Sequence, residues 1–402
     1  MKLSLQTLKT VPSGVWALGF VSLLMDLSSE MIHGLLPVFL TTALGASLAT
    51  VGLIEGIAEA TAAITKVFSG WLSDRIGQRK LLTGIGYGLA AASKPLFVIA
   101  HSVGLVMVAR FADRVGKGIR GAPRDALIAD ITEPGLRGAA FGLRQSLDTV
   151  GAFLGPAVAI ALMVVLHNDT RIIFALAAVP AIAAVLLIFF GVREPARPAP
   201  RPAARSPIAW GELGSLGGAF WRAMALATVF SLARFSDAFL VLRGQTDGLS
   251  PALAPLVMIV MNIVYAGLAA PAGALSDQLD RRVLLALGLV ALIAADLVLG
   301  LGAGPGALLA GVALWGLHMA LTQGLFSAMI ADVAPKALRG TAFGIYNLAG
   351  GVALLLASLG AGLLWTARGP AAAFLGGAVV CVLVLAGLGL APRSAPGRAS
   401  GG

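Results

Sequence analysis

Charge is scarce in this chain. Only 12% of its 402 residues are charged and 58% are hydrophobic, whereas a soluble domain carries about 25% charged residues. That excludes an ordinary water-soluble globule. Cysteine is scarcer still. The single one, Cys381, lies in an apolar run, so the chain has no internal disulfide framework and its cysteine content says nothing about the compartment. Alternating segments of about ten residues are missing, which argues against a membrane barrel. Walker loops and HExxH, GxSxG and CxxC motifs are missing too, so an enzyme reading has nothing to rest on and no cofactor or metal is expected. GKGIRG (116–121) fits the dinucleotide pattern GxGxxG. It fails the context that pattern needs, because no strand precedes it and apolar sequence surrounds it.

What the chain does have is long apolar runs. Mean hydropathy is +0.91, and runs of about 20 residues, long enough to cross a bilayer as helices, recur throughout. The pattern predicts an all-α integral membrane protein with twelve spans, at 13–40, 46–70, 81–101, 103–128, 138–165, 172–192, 219–243, 252–274, 283–302, 306–331, 340–365 and 370–391. Lys2 and Lys9 precede the first run, but acids follow it instead of a small-residue cleavage site, so an uncleaved first span is expected. A Pro-, Ala- and Arg-rich stretch at 193–218 reads as a cytoplasmic linker between two six-helix bundles, 1–192 and 219–392, with a cytoplasmic tail at 393–402. The net charge of +10 fits Lys and Arg gathered in cytoplasmic loops better than a nucleic-acid surface. With both termini inside, Arg75, Arg79, Lys80, Arg137, Arg193, Arg281, Arg282 and Arg339 fall on one side, and little beyond Arg171, Arg243 and Arg368 on the other.

The two halves repeat. GWLSDRIGQRK (70–80) matches GALSDQLDRRV (273–283), and IADITEPGLRGAAFG (128–142) matches IADVAPKALRGTAFG (330–344). The offsets are 203 and 202 residues. Two matches at nearly one offset point to duplication, and repeated halves with a site between them are a transporter architecture.

These residues resemble the major facilitator superfamily over essentially the whole chain. Gly70, Leu72, Ser73, Asp74, Arg75, Gly77, Arg79 and Lys80 look like its signature loop, which the resemblance implies is a latch on one conformational state. Gly70 permits close helix packing, and Asp74 can pair with an arginine at the membrane face. Gln78 stands at a basic position of the family, so Arg79 is expected to take over the pairing. In the second copy, Gly273, Asp277 and Arg281 keep the pattern, while Gln278 and Asp280 replace Arg75 and Gly77. Asp130 and Asp332 are the natural partners of the two loops. Gly142, Gly151, Gly155 and Pro156 resemble the fifth-span motif of drug/proton antiporters, although Ala159 and Ile160 replace its closing glycines. Arg114 and Gly118 resemble an arginine motif of the fourth span that the family associates with proton coupling.

Charges inside the spans are the other signal. Each costs roughly 2.5–3.5 kcal/mol at the bilayer centre on insertion scales. Asp26, Glu30 and His33 fall within about a 60° sector of one helix, and Glu55, Glu59 and Lys66 within about 40° of another. Arg110, Arg114, Lys117 and Arg124 share a face of the fourth span. Arg144 with Asp148 and Arg234 with Asp237 have helical pair spacing. Such ordered charges face partners or a wet cavity. Lys66, Lys94, Arg144 and Asp148 read equally well as fixed structural pairs. Asp26, Glu30, Glu55, Glu59 and Arg114 are the proton-coupling candidates, because burial raises a carboxyl's proton affinity and a moving arginine can reset it. The second half offers Arg234, Asp237, Asn262, Tyr265, His318 and Gln323 to a substrate pocket, with His33, Arg110 and Lys117 opposite. Pro37, Pro95, Pro123, Pro156 and Pro271 can kink their spans.

The expectation is a secondary active transporter that works by alternating access and exports a small amphipathic or cationic compound in exchange for protons. It would function as a monomer in the lipid bilayer of a bacterial inner membrane. Three alternatives stay open: divalent-metal export through Asp26, Glu30 and His33 with His318, exchange or uptake of an organic anion on the fourth-span arginines, and a receptor or scaffold that transports nothing.

Overall fold

The structure, a computed structural model, describes residues 10–194, 208, 210–276, 279–322, 325–335 and 338–390. Every regular element among them is helical. Leucine, alanine and glycine dominate these segments, and a backbone that satisfies its own hydrogen bonds is what an apolar solvent demands. The long elements are α1 (Ser13–His33), α2 (Leu48–Ile76), α3 (Arg79–Val98), α4 (Val103–Ile131), α5 (Arg137–Val165), α6 (Thr170–Gly191), α7 (Gly217–Ala233), α8 (Ala238–Thr246), α9 (Leu256–Ser276), α10 (Arg281–Leu301), α11 (Gly304–Thr322), α12 (Leu325–Val333), α13 (Arg339–Arg368) and α14 (Pro370–Leu390). Among the described residues, eleven helical segments are long and apolar enough to cross a membrane. α4 is as long as α2 and α5 but carries eight charged residues.

Two of the expected spans are not continuous helices. The first ends at His33. Gly34 and Leu35 interrupt it, Pro37 opens a short turn, and Phe39–Ala43 winds as a π-helix. Pro37 has no N–H to donate, and the Thr41 and Thr42 hydroxyls bond the Pro37 and Val38 carbonyls there. The seventh span breaks between Ala233 and Ala238 without a proline. Arg234 is extended at φ −101°, ψ 101°. The Ser236 N–H leaves the helical ladder and donates to Ser358 Oγ of α13 at 3.1 Å. Phe235 anchors the break against Phe239, Trp315 and Phe374. Pro95, Pro123, Pro156 and Pro271 all lie within helices that continue through them. Gln323, Asp277, Gln278, the N-terminal lysines and most of the linker and tail lie outside the described residues.

In the first half, α1 packs on α5 and α6, α3 on α4 and α6, and α2 on α4. In the second half, α11 packs on α9 and α10, and α14 on α7, α10 and α13. Contacts across the halves run mainly between α2 and α13 and between α5 and α9. The apolar core differs between the two ends. Away from the Ile76–Arg79 loop, one cluster joins Ile32, Leu36 and Phe39 to Phe239, Leu242 and Val257 across both halves. At the loop end each half has its own cluster, one around Leu18, Leu127 and Ala140 and the other around Phe220, Ile330 and Ala342. The large apolar cluster therefore bridges the halves at one end, whereas at the loop end the clusters stay within each half and α2 meets α13 at Val67 and Gly344.

Candidate functional site

A cavity of about 680 Å³ lies between the halves. Its first-half wall comes from α1, α2, α4 and α5. Its second-half wall comes from the α7–α8 break, α9, α11 and α13.

The first-half wall is a set of ion pairs. On α1, the Asp26 carboxylate is 3.8 Å from Arg120 Nη2, and Glu30 is 3.5 Å from His33 Nδ1. The other ring nitrogen of His33 is 3.6 Å from Glu55. Glu55 is buried behind the wall and takes Arg110 Nη2 at 2.7 Å. One turn along α2, Glu59 meets Arg114 at 3.3 Å, and Arg114 also lies 3.7 Å from Asp113. Asp113 accepts from Lys94 at 2.9 Å, and Lys94 donates to Ser29 of α1 as well. Arg124 pairs with Asp125, donates to Ser22 and reaches the Tyr87 hydroxyl, while Arg120 stacks on the Tyr87 ring. Arg144 and Asp148 pair within α5 at 2.9 Å. Stripes at i, i+3 and i+4 on three neighbouring helices thus meet as cross-helix pairs, the arrangement in which intramembrane charge is tolerated.

Gly151 and Gly155 of α5 explain how α1 is held there. A Cβ on Gly151 would stand 2.5 Å from the Leu23 carbonyl, and one on Gly155 2.6 Å from Glu30 Cβ. Only glycine lets α5 lie this close to the helix that carries Asp26 and Glu30. Pro156 follows within the same helix, and Gly142 lies in its early turns, accepting from Ser146.

The second-half wall is soft and mostly apolar. Met258, Met261, Met319, Phe230, Phe235 and Leu354 line it, with Asn262, Tyr346 and Asn347 between them. Arg234 and Asp237 reach the cavity from the helix break. Helical pairing was expected of these two, but the break separates them and no ion pair joins them. Asn262 donates weakly to the Ala152 carbonyl across the halves, at 3.5 Å.

Several candidates lie elsewhere. His318 is fully buried, bonds the Gly288 carbonyl at 2.8 Å and packs beside Phe230, behind the cavity wall. It therefore does not meet His33, as the metal alternative required. Tyr265 is on α9 outside the cavity lining, and Arg110 is committed to Glu55. Lys66, read as a possible structural pair, has no ion-pair partner among the described residues and faces the cavity. At the loop end, Arg79 pairs with Asp74 at 3.2 Å and Asp130 at 2.7 Å, and donates to the Ala126 carbonyl. Arg75 lies over the Trp71 ring instead. Gly70 is close-packed on Ala122. In the second copy Arg281 pairs with Asp332, Gly273 falls within α9, and Asp277 lies outside the described residues.

Asp296 was missed altogether. It is fully buried on α10, and neither carboxyl oxygen has a hydrogen-bond partner. It lies beside Gly377 and Phe235, at the back of the helix break. A lone acid in an apolar run carries no spacing signal that could have marked it.

Repeated helical halves that close on a charged central cavity define a membrane transporter. The chain belongs to the Major Facilitator Superfamily, whose sequence pattern matches residues 18–243 and 238–401. It is 31% identical to an uncharacterized MFS-type transporter of Methanocaldococcus jannaschii over 93% of this chain and 94% of that one. It is 29% identical to the multidrug resistance protein MdtH of Aeromonas hydrophila over 35% of this chain and 36% of that protein. Among solved structures, a POT family transporter in complex with a thioalcohol-conjugated peptide shares the fold. Its TM-score is 0.77 at 14% identity, covering 95% of this chain and 98% of that one.

Proposed function

We propose that the protein is a proton-coupled exporter of a small amphipathic compound, built as twelve spans in two six-helix bundles that alternate access to the central cavity. The observation that carries this reading is the unlike pair of walls around one cavity: ion-paired acids on the first half, methionine and phenylalanine on the second. Paired carboxylates whose partners sit on other helices change their proton affinity when those helices move. Asp26 has the loosest of these pairs, at 3.8 Å, and is the foremost proton carrier. A thioether-rich wall adapts to differently shaped apolar bodies. The shared apolar cluster at one end and the separate clusters at the loop end correspond to a state open toward the loops. Basic loop residues put that end in the cytoplasm, and the pairs of Arg79 and Arg281 act as latches there. The partial antiporter motif and the similarity to MdtH support export over uptake. Metal export has less support, because Glu30, His33 and Glu55 are engaged with one another.

The test is proton flux in inside-out vesicles that contain the protein. A proton gradient is set up, and drugs, divalent metals and organic anions are added in turn, with Asp26→Asn as control. Dissipation by amphipathic compounds that the variant abolishes supports the reading. Dissipation by metals alone, or an unchanged Asp26→Asn response, overturns it.

A further inference from the structure

The charges around the cavity do not all pair. Seven acids in or directly behind the wall each have a basic partner within 4 Å, the loosest being Asp26 with Arg120 and the deepest Glu55 with Arg110. Three bases of the lining are left over. Lys66 on α2, Lys117 on α4 and Arg234 at the helix break have no ion-pair partner among the described residues. One acid, Asp237, is left to set against them.

From this surplus we infer that the cavity is a site for a small amphipathic organic anion, whose carboxylate or sulfonate lies among Lys117, Arg234 and Lys66 and whose apolar body lies on the methionine wall. The inference rests on the proposed transport reading and deepens it by naming the charge of the substrate. Three unpaired cations at membrane depth are costly to keep. Low-dielectric walls focus their field into the cavity, where it concentrates counter-ions. An anion offsets the surplus and gains charge-assisted hydrogen bonds from the donors it reaches. The cations come from both halves, with Lys66 and Lys117 on one and Arg234 on the other. An anion held between them draws the halves together, which is what a substrate of a rocking transporter must do. A cationic substrate would find one unpaired acid, Asp237, and would have to break pairs to engage any other.

The experiment uses two rigid probes of matched shape, naphthalene-2-sulfonate and naphthalen-2-ylmethylammonium. Binding to the full-length protein is measured by calorimetry in nanodiscs of zwitterionic lipid. The sulfonate is expected to bind at least tenfold more tightly than the ammonium. Lys117→Gln and Arg234→Gln are each expected to weaken the sulfonate by about tenfold, the loss of one charge-assisted hydrogen bond. Lys117→Glu should reverse the preference. Because the Lys117 side chain has no partner, its variants should melt with the wild type, so a lost signal is not lost fold. Equal or tighter binding of the ammonium overturns the inference, as does a sulfonate affinity that neither neutralising variant changes. Phosphatidylglycerol is added as a competitor. If it alone occupies the cavity and the sulfonate does not bind, the site is for a lipid headgroup and the inference falls. Proton flux separates this result from the transport reading. A sulfonate that binds through Lys117 but moves no protons removes the coupling and leaves the site. An ammonium that binds and drives flux does the reverse.

Discussion

The two walls of the cavity are made of different materials. The first half presents acids and bases fixed to one another across α1, α2, α3 and α4. The second half presents three methionines, two phenylalanines and a break in its own helix. A charge network has strict geometry, because each buried group is costly without its partner. A thioether surface has almost none. Under the proposed function, this difference gives the movement of protons to the first half and tolerance of shape to the second.

The largest effect expected from breaking this contrast is at the deepest pair. Arg110→Ala leaves buried Glu55 with only its longer contact to His33, at 3.6 Å, and should destabilise the protein by about 3 kcal/mol. Melting of the purified protein measures it. A double variant, Glu55→Gln with Arg110→Gln, should recover most of the loss. Simple addition of the two single effects would mean the pair does not organise the wall.

The seam between the halves comes next. A Cβ on Gly56 would stand 2.8 Å from Leu355 Cα. Gly56→Val should force α2 from α13 and destabilise the protein by about 1–3 kcal/mol, with transport lost beyond what melting explains. A variant that melts lower yet transports normally would show that the close approach is not part of the cycle.

The apolar wall should respond differently. Met319→Ala removes thioether contact, worth about 1 kcal/mol for a partly buried position. KM should rise several-fold for bulky substrates and little for small ones, with protons moved per substrate unchanged. A changed proton ratio would erase the division of labour. The smallest effect is expected at Asp296. Replacing an unsatisfied buried carboxyl by Leu, which has the same number of side-chain atoms beyond Cβ, should stabilise the protein by about 1 kcal/mol. Destabilisation by Asp296→Leu would mean that the acid has a partner in another state of the cycle.

Much of the helical layout was legible in sequence because hydropathy and helical spacing act locally. Asp26, Glu30 and His33 read as one stripe, and they stand as one stripe. Their partners were not legible. Pairing Glu55 with Arg110 rather than Lys117 depends on how α2 meets α4. The break in the seventh span escaped for a related reason, whereas Pro37 marks the one in the first. Arg234 to Asp237 contain no proline or glycine, and the ladder gives way there to a Ser358 hydroxyl more than a hundred residues on. His318 sits behind the wall because of the rotation of α11, which an apolar run with few polar landmarks does not reveal. The methionine wall was hidden too, since a cavity methionine and a core methionine look alike in sequence.

The most direct measurement of the division between the walls is made on one double variant, Asp26→Asn with Glu30→Gln. Substrate binding and proton flux are read on the same vesicles. Binding is expected to persist while the substrate no longer dissipates the proton gradient. Normal proton-coupled transport by the double variant would contradict it, and the ion pairs of the first half would then be structural alone.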